Sequence, residues 1–253
     1  MRIHVDRCRP EGREQRMERV SVIFPAYKEE KHIEEAVRRA LDVGAGEVVC
    51  VNDCSPDDTG PIIDRLAAQD ERVRAIHHET NLGKQAAVKH GLQAALERPG
   101  AEALAMLDAD LQDDPVYLPD MCPLSGPYDV IMAVRERANM PPQRRFANGM
   151  ANVPYRLVGI DVHDVQAGYR VYTRDVAECA AEHLTVKGGY TLEHTTMLLF
   201  GRLARQWGRD FRIAEFVVPY DYGDAESGIG VVENLQLMKA VVYHTVKLAN
   251  LQR

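Results

Sequence analysis

Ala103-Leu104-Ala105-Met106-Leu107-Asp108-Ala109-Asp110 is an apolar run that breaks off into alternating carboxylates. The run reads as a buried strand, and the acids as its exit into a loop that continues Leu111-Gln112-Asp113-Asp114-Pro115. Side chains on a strand repeat every two residues, which would put Asp108 and Asp110 on one side of the chain. Two carboxylates that close repel each other unless a cation lies between them, and hard oxygen ligands suit Mg²⁺ or Mn²⁺. A lone Asp-x-Asp is more often an acidic, solvated loop, here with Pro115 opening the next helix. The flanking chain has to decide between the two.

Upstream, strand and helix alternate. Val20-Ser21-Val22-Ile23-Phe24 is a strand closed by Pro25, and Ile33, Ala36, Val37, Ala40 and Leu41 recur at helical spacing over residues 29–42. Gly44-Ala45-Gly46 leads into a second strand, Glu47-Val48-Val49-Cys50-Val51. The capping and turn residues of 52–59 then precede a helix through Ile62, Ile63, Leu66 and Ala67. A third strand spans Val73 to His77, and Asn81-Leu82-Gly83-Lys84 opens a helix through Ala86, Ala87, Val88, Leu92 and Leu96. This alternation predicts an α/β fold with a parallel, doubly wound sheet. Ligands on such sheets lie beyond the carboxyl ends of the strands. Pro25 to Glu30, Asn52 to Asp58 and Asp108 to Asp114 all stand at strand ends, and Lys84 follows the third strand. They are expected to converge on one crevice.

Downstream the pattern is less regular. Asp129-Val130-Ile131-Met132-Ala133-Val134 reads as a strand leading to Arg135-Glu136-Arg137, and Pro141-Pro142 breaks the chain before Arg144-Arg145. Phe146, Met150, Val153 and Leu157 mark a helix or interface segment. A short strand-like run ends Gln166-Ala167-Gly168-Tyr169-Arg170-Val171-Tyr172. Residues 191–205 are helical in pattern, and Ile213 to Val218 is a strand. Val232, Leu235, Met238, Val242, Val246 and Ala249 mark a final amphipathic helix over residues 231–251. Residues 1–19 are charged and aperiodic and read as a mobile arm, which leaves 20–253 as a single domain.

A formal net charge of −7 argues against a general nucleic-acid binder. The N-terminus has no apolar signal region, and no stretch approaches the roughly 20 apolar residues of a membrane span. The five cysteines are an odd number without a paired Cys-x-x-Cys pattern. Reduced thiols are expected, and with them a place in the cytoplasm or at the inner face of its membrane. A nicotinamide-binding domain should carry Gly-x-Gly-x-x-Gly after its first strand. Pro25-Ala26-Tyr27-Lys28-Glu29-Glu30 stands there instead, which disfavours a dehydrogenase. No Gly-x-x-x-x-Gly-Lys-Ser/Thr loop is present in the sequence either.

Five motifs in order carry a resemblance. They are Phe24-Pro25-Ala26-Tyr27-Lys28-Glu29-Glu30, Val51-Asn52-Asp53-Cys54-Ser55-Pro56-Asp57-Asp58-Thr59, Asn81-Leu82-Gly83-Lys84, Leu107-Asp108-Ala109-Asp110-Leu111-Gln112 and Ala167-Gly168-Tyr169-Arg170. The series resembles the family 2 glycosyltransferases with a GT-A fold, most of all the polyprenyl-phosphate (dolichol-phosphate) mannosyl- and glucosyltransferases. It covers about Val20 to Asn234.

The resemblance implies a role for each matching residue. Pro25, Tyr27 and Glu29 fall in the nucleoside-binding turn, Asp53 at a contact to the base, and Lys84 within reach of the nucleotide. Asp108 and Asp110 match the metal-binding pair, with Gln112 close by. Arg135 and Arg137 follow a strand, Arg145 and Arg170 fall where the family binds phosphate, and Arg170 and Arg135 stand out because both leave apparent strands beside the crevice. Surface arginines are the competing explanation for each. Glu193 stands as a general base for a hydroxyl acceptor or as a plain helix N-terminal carboxylate. His77-His78 reads as structural.

The activity implied is metal-dependent, inverting sugar transfer from a nucleoside-diphosphate sugar, with Mg²⁺ or Mn²⁺. Polyprenyl phosphate is the favoured acceptor and a soluble small molecule the alternative. The final helix would rest on a bilayer, or pack on the core or on a partner copy in a homo-oligomer. Outside the class stand a sugar nucleotidyltransferase, disfavoured by the missing Gly-rich basic loop, and a silent nucleotide-binding protein. Two departures from the family pattern stand out. Asn52 and Cys54 replace the usual Asp and Gly, and the loop from Tyr220 to Gly228 lacks the expected Arg and Lys.

Overall fold

The structure, a computed structural model, describes residues 3–8, 17–122, 126–135, 140, 142–157, 160–184 and 192–219. In chain order they form β1 (Ile3–Cys8), β2 (Val20–Ala26), α1 (Ile33–Asp42), β3 (Glu47–Asn52), α2 (Thr59–Gln69), β4 (Val73–His77), α3 (Lys84–Leu96) and β5 (Ala103–Met106). There follow the one-turn α4 (Leu118–Met121), β6 (Val130–Arg135), α5 (Pro142–Leu157), β7 (Arg170–Thr173), α6 (Arg174–His183), α7 (Leu192–Trp207) and β8 (Phe211–Val218). The chain divides into two compact units. One is built from β2 to β5, β7, α1 to α4 and α6; the other from β1, β8, α5, α7 and all but the first two residues of β6. The fold is α/β, as the alternation of elements predicts.

In the first unit the strand order is β7-β5-β2-β3-β4. β5, β2, β3 and β4 are parallel, whereas β7 runs antiparallel to β5, with Arg170 opposite Met106. Ile23, Phe24, Val48, Val49, Val51 and Leu104 are fully buried. Such unbroken apolar runs fit strands covered on both faces. α3 lies close on this sheet because Gly91 faces it. A Cβ there would stand 2.5 Å from Ile23 Cγ2 and 3.2 Å from Val51 Cγ2.

α1 starts at Ile33, four residues later than its apolar spacing suggests. The segment before it is tied to the neighbouring loop: Glu29 N donates to Thr59 Oγ1 at 2.9 Å, and Glu30 N to Asp57 at 3.4 Å. α6 gives little sequence signal, because its buried face is Val176, Ala177, Ala180 and Ala181. Lys89 of α3 holds its end by donating to the Leu184 carbonyl at 2.8 Å.

In the second unit β1 pairs in parallel with β8, and β6 lies on the other side of β8. Ile3–Cys8 is thus a strand and not part of a mobile arm. Ile3 turns inward while His4 and Asp6 stay exposed, a period-two pattern too short and too charged to stand out in the sequence. α7 packs on these strands with Phe200 stacked on Phe211, centroids 4.7 Å apart. α5 leaves Phe146, Met150, Val153 and Leu157 exposed. Among the described residues no helix is long and apolar enough to cross a membrane. The expected final helix at 231–251, the loop from Tyr220 to Gly228, and Arg137 lie outside the described residues.

Candidate active site

Three loops and one helix start bound a cleft of about 220 Å³ in the first unit. Pro25, Ala26, Tyr27 and Glu29 come from the end of β2, Asp53 from the end of β3, Lys84 and Ala87 from α3, and Asp108, Ala109 and Asp110 from the end of β5. The strand-end segments therefore converge as the alternating pattern predicts. One detail differs. β5 ends at Met106, so Asp108 and Asp110 sit on a turn and share the cleft through its bend, with Leu111 at φ 65°, not through strand alternation.

The loops are bound to one another. Lys28 N donates to Ser55 Oγ at 2.8 Å, and Asp58 N to Glu30 Oε2 at 3.2 Å. Asp57 accepts from the Ser55 hydroxyl at 2.5 Å and from the Thr59 hydroxyl at 2.6 Å. Burial opposes the charge on Asp57, but hydrogen bonds from Ser55, Thr59 and the Glu30 amide outweigh it and hold its carboxyl down to about 2. A carboxyl held below its unfolded value stabilises the fold above about pH 4 and loses that contribution as pH falls through about 2. Asp57→Asn is therefore expected to cost about 1 kcal/mol at pH 7 and almost nothing at pH 2. Urea unfolding at the two pH values measures this, and an equal loss at both would contradict it.

Lys28, Cys54 and Leu111 are the described non-glycine residues with positive φ, and each lies in a different loop of the cleft. Backbone strain of this kind gathers at binding sites when the surroundings enforce it. Cys54, at φ 55°, occupies the position where the family pattern has glycine. Cys54→Gly is expected to raise stability by about 0.5 kcal/mol, since relief of strain exceeds the added unfolded-state entropy. A lower urea midpoint at unchanged m would contradict this.

The cleft is rich in carboxylates. Burial raises Asp110 above the usual carboxylate range; the Gln112 amide at 3.0 Å opposes this and the charge of Asp108 adds to it. Burial likewise raises Glu29, against its bond to His32, with Asp110 and Asp108 contributing. Behind them Asp113 is pushed up to about 7 by burial and by Asp108, although the Asp108 amide donates to it at 3.3 Å. Lys84 is the cation among the lining residues, its Nζ 2.7 Å from Asp108 Oδ1. Gly168 closes the site from below: a Cβ there would stand 3.3 Å from Asp108 Oδ2. That close approach accounts for the glycine of the Ala167-Gly168-Tyr169-Arg170 motif.

An anionic diphosphate would not enter so acidic a cleft without a cation. The donors are hard oxygens, which fits Mg²⁺ or Mn²⁺. Among the described residues no group of three or more His, Cys, Asp or Glu side chains is arranged to hold a metal. An ion at Asp108 and Asp110 would complete its shell with water or substrate oxygens, as Mg²⁺ commonly does.

The remaining sequence candidates lie elsewhere. Arg170 on β7 is fully buried and not among the lining residues. Gln112 contributes its amide to Asp110, and its side chain does not line the cleft. In the second unit Arg135 makes a two-pronged pair with Asp164, at 2.7 Å and 3.0 Å, and Asn148 donates to the same carboxylate. Arg145 is exposed and donates to the Met140 carbonyl, and Glu193 is half-buried in the first turn of α7. Asp113 extends the acidic run that begins at Asp108, but no spacing in the sequence marks it as part of the site.

The sheet thus gathers a carboxylate pair, a lysine and an exposed tyrosine above its strand ends. Residues 21–180 match Glycosyl transferase family 2, and the chain belongs to that family. It is 28% identical over 224 residues to the undecaprenyl-phosphate mannosyltransferase of Micrococcus luteus, covering 85% of this chain and 89% of that protein. It is 30% identical over 220 residues to glycosyltransferase AglD of Haloferax volcanii, where 80% of this chain spans 33% of the relative. In fold it resembles the crystal structure of glucosyl-3-phosphoglycerate synthase from Mycobacterium tuberculosis in complex with Mn²⁺, UDP-glucose and phosphoglyceric acid. The TM-score is 0.66 at 16% identity, over 96% of this chain and 88% of that one.

Proposed function

We propose that this glycosyltransferase moves a sugar, with inversion, from a nucleoside-diphosphate sugar to a polyprenyl phosphate. The convergence of Tyr27, Glu29, Asp53, Lys84, Asp108 and Asp110 on one cleft carries the donor half of this reading. Tyr27 is 43% exposed at the rim, a surface on which a nucleobase could stack. Glu29 can accept from ribose hydroxyls, and Lys84 can turn from Asp108 to a phosphate oxygen. A divalent ion held by Asp108 and Asp110 would act as a Lewis acid on the departing diphosphate.

An acceptor phosphate oxygen attacks the anomeric carbon from the face opposite the diphosphate. The new C–O bond forms as the old one breaks, and the diphosphate leaves with the electron pair. An ionised phosphate acceptor has no proton to lose, so no general base is required. Arg170, Arg135 and Glu193, which the sequence offers for aligning or activating the acceptor, do not line this cleft.

The lipid half rests on α5 and on the relatives named for undecaprenyl phosphate. Phe146, Met150, Val153 and Leu157 fall at intervals of four, three and four residues and so share one exposed face. Arg145 and Arg156 on the same helix are suited to headgroup phosphates. A donor screen with Mg²⁺ or Mn²⁺ tests the proposal, read by thermal shift and by release of nucleoside diphosphate with polyprenyl phosphate in vesicles. Release with a soluble acceptor but none with the lipid would overturn the lipid half. Pyrophosphate as product would overturn the whole.

A further inference from the structure

Asp53 lines the cleft, yet both of its carboxylate oxygens are bonded to groups that lie outside its lining. Its side chain is 5% exposed, as is that of His78. One oxygen accepts from Leu82 N at 2.8 Å and the other from Gly83 N at 2.7 Å. The first is also 2.7 Å from His78 Nδ1. Since Asp53 accepts, His78 carries its proton on Nδ1 and turns Nε2 to His90 Nδ1, 2.8 Å away. The two rings meet edge to face with centroids 4.9 Å apart. A gap of that length holds one proton between the two nitrogens.

We propose that His78 and His90 are positioning residues for the donor side of the cleft: they fix Asp53, and through it the turn that launches α3 and Lys84. Each link has a physical cause. A buried imidazole nitrogen without a partner is costly, so the ring of His78 keeps its orientation only while His90 answers Nε2. Burial, with His78 and Lys89 alongside, holds His90 below the ordinary imidazole value and leaves it neutral at pH 7. Asp53 in turn fixes Leu82 and Gly83, and Gly83 is the N-cap of α3 with φ 87°. Lys84 follows at once and reaches Asp108. The charges facing the pair are Asp53 at the end of β3 and Lys89 on α3. His77 is turned away, bonded to Asn52 at 3.1 Å and Asp64 at 3.0 Å.

This inference rests on the proposed function only for the choice of ligand. His90→Phe keeps a ring of similar size and removes the partner of His78. His90→Asn keeps a donor at the place of Nδ1. In His90→Phe the amides of Leu82 and Gly83 are expected to exchange hydrogen about tenfold faster than in the parent. The KM for the nucleotide sugar is expected to rise about tenfold with kcat within about twofold. His90→Asn should lie near the parent on both measures. Unchanged exchange in His90→Phe, or His90→Asn matching His90→Phe, would overturn the inference. A parent that neither binds nor turns over nucleotide sugars would sink the proposed function, and the exchange rates would then decide the inference alone.

Discussion

Asp110→Ala is expected to lower sugar transfer by about 1,000-fold while leaving the protein folded. Asp110 stands in the acidic cleft, disfavoured by burial and by the charge of Asp108, and forms no side-chain ion pair among the described residues. Its carboxylate accepts from the Gln112 amide at 3.0 Å. Removing it relieves like-charge crowding, so the melting temperature should not fall. What is lost is half of the oxygen pair that would bind the ion against the diphosphate. Added Mg²⁺ or Mn²⁺ with nucleoside diphosphate should raise the melting temperature of the parent and not of the variant. Full activity in the variant would sink the metal assignment.

Phe146→Glu combined with Leu157→Glu should reduce binding to anionic vesicles by about 100-fold or more. These side chains are 73% and 75% exposed, so the exchange disturbs little packing. Inserting each into an apolar phase is worth about 2 kcal/mol, and each new carboxylate is repelled by anionic lipid. Affinity for nucleoside diphosphate in solution should stay within about twofold. Equal flotation of parent and variant on phosphatidylglycerol vesicles carrying polyprenyl phosphate would remove α5 from the acceptor side. The sequence points to residues 231–251 for this contact; α5 is the described helix that exposes an apolar face.

The cleft at the strand ends was legible because its grammar is local. Apolar runs closed by Pro25, Asn52 or Asp108 announce strand ends, and parallel strands must deliver their ends to the same edge. What was not legible depends on long-range pairing. Nothing in Arg170-Val171-Tyr172-Thr173 tells that this strand lies antiparallel to β5. Ile3 and Val5 are too few to reveal a strand whose partner, β8, begins at Phe211. The bond from His78 to Asp53 links residues 25 apart, each just past the end of one of two neighbouring strands, so His77-His78 could be read only as structural. Asn52 shows the same limit. Its departure from the family's Asp acquires a reason only beside His77, which sits across the register and bonds its side-chain amide.

The bonds that run from Lys28, Glu29 and Glu30 to Ser55, Asp57 and Thr59 carry a consequence for evolvability. The donors are backbone amides of the β2 loop and the acceptors are side chains of the β3 loop, so a β3 loop without Ser55, Asp57 and Thr59 orphans those amides. Recombination that grafts such a β3 loop alone should give poorly folded chimeras, while transplanting both loops together keeps the seam intact. The heritable module at this edge of the sheet is the pair of loops.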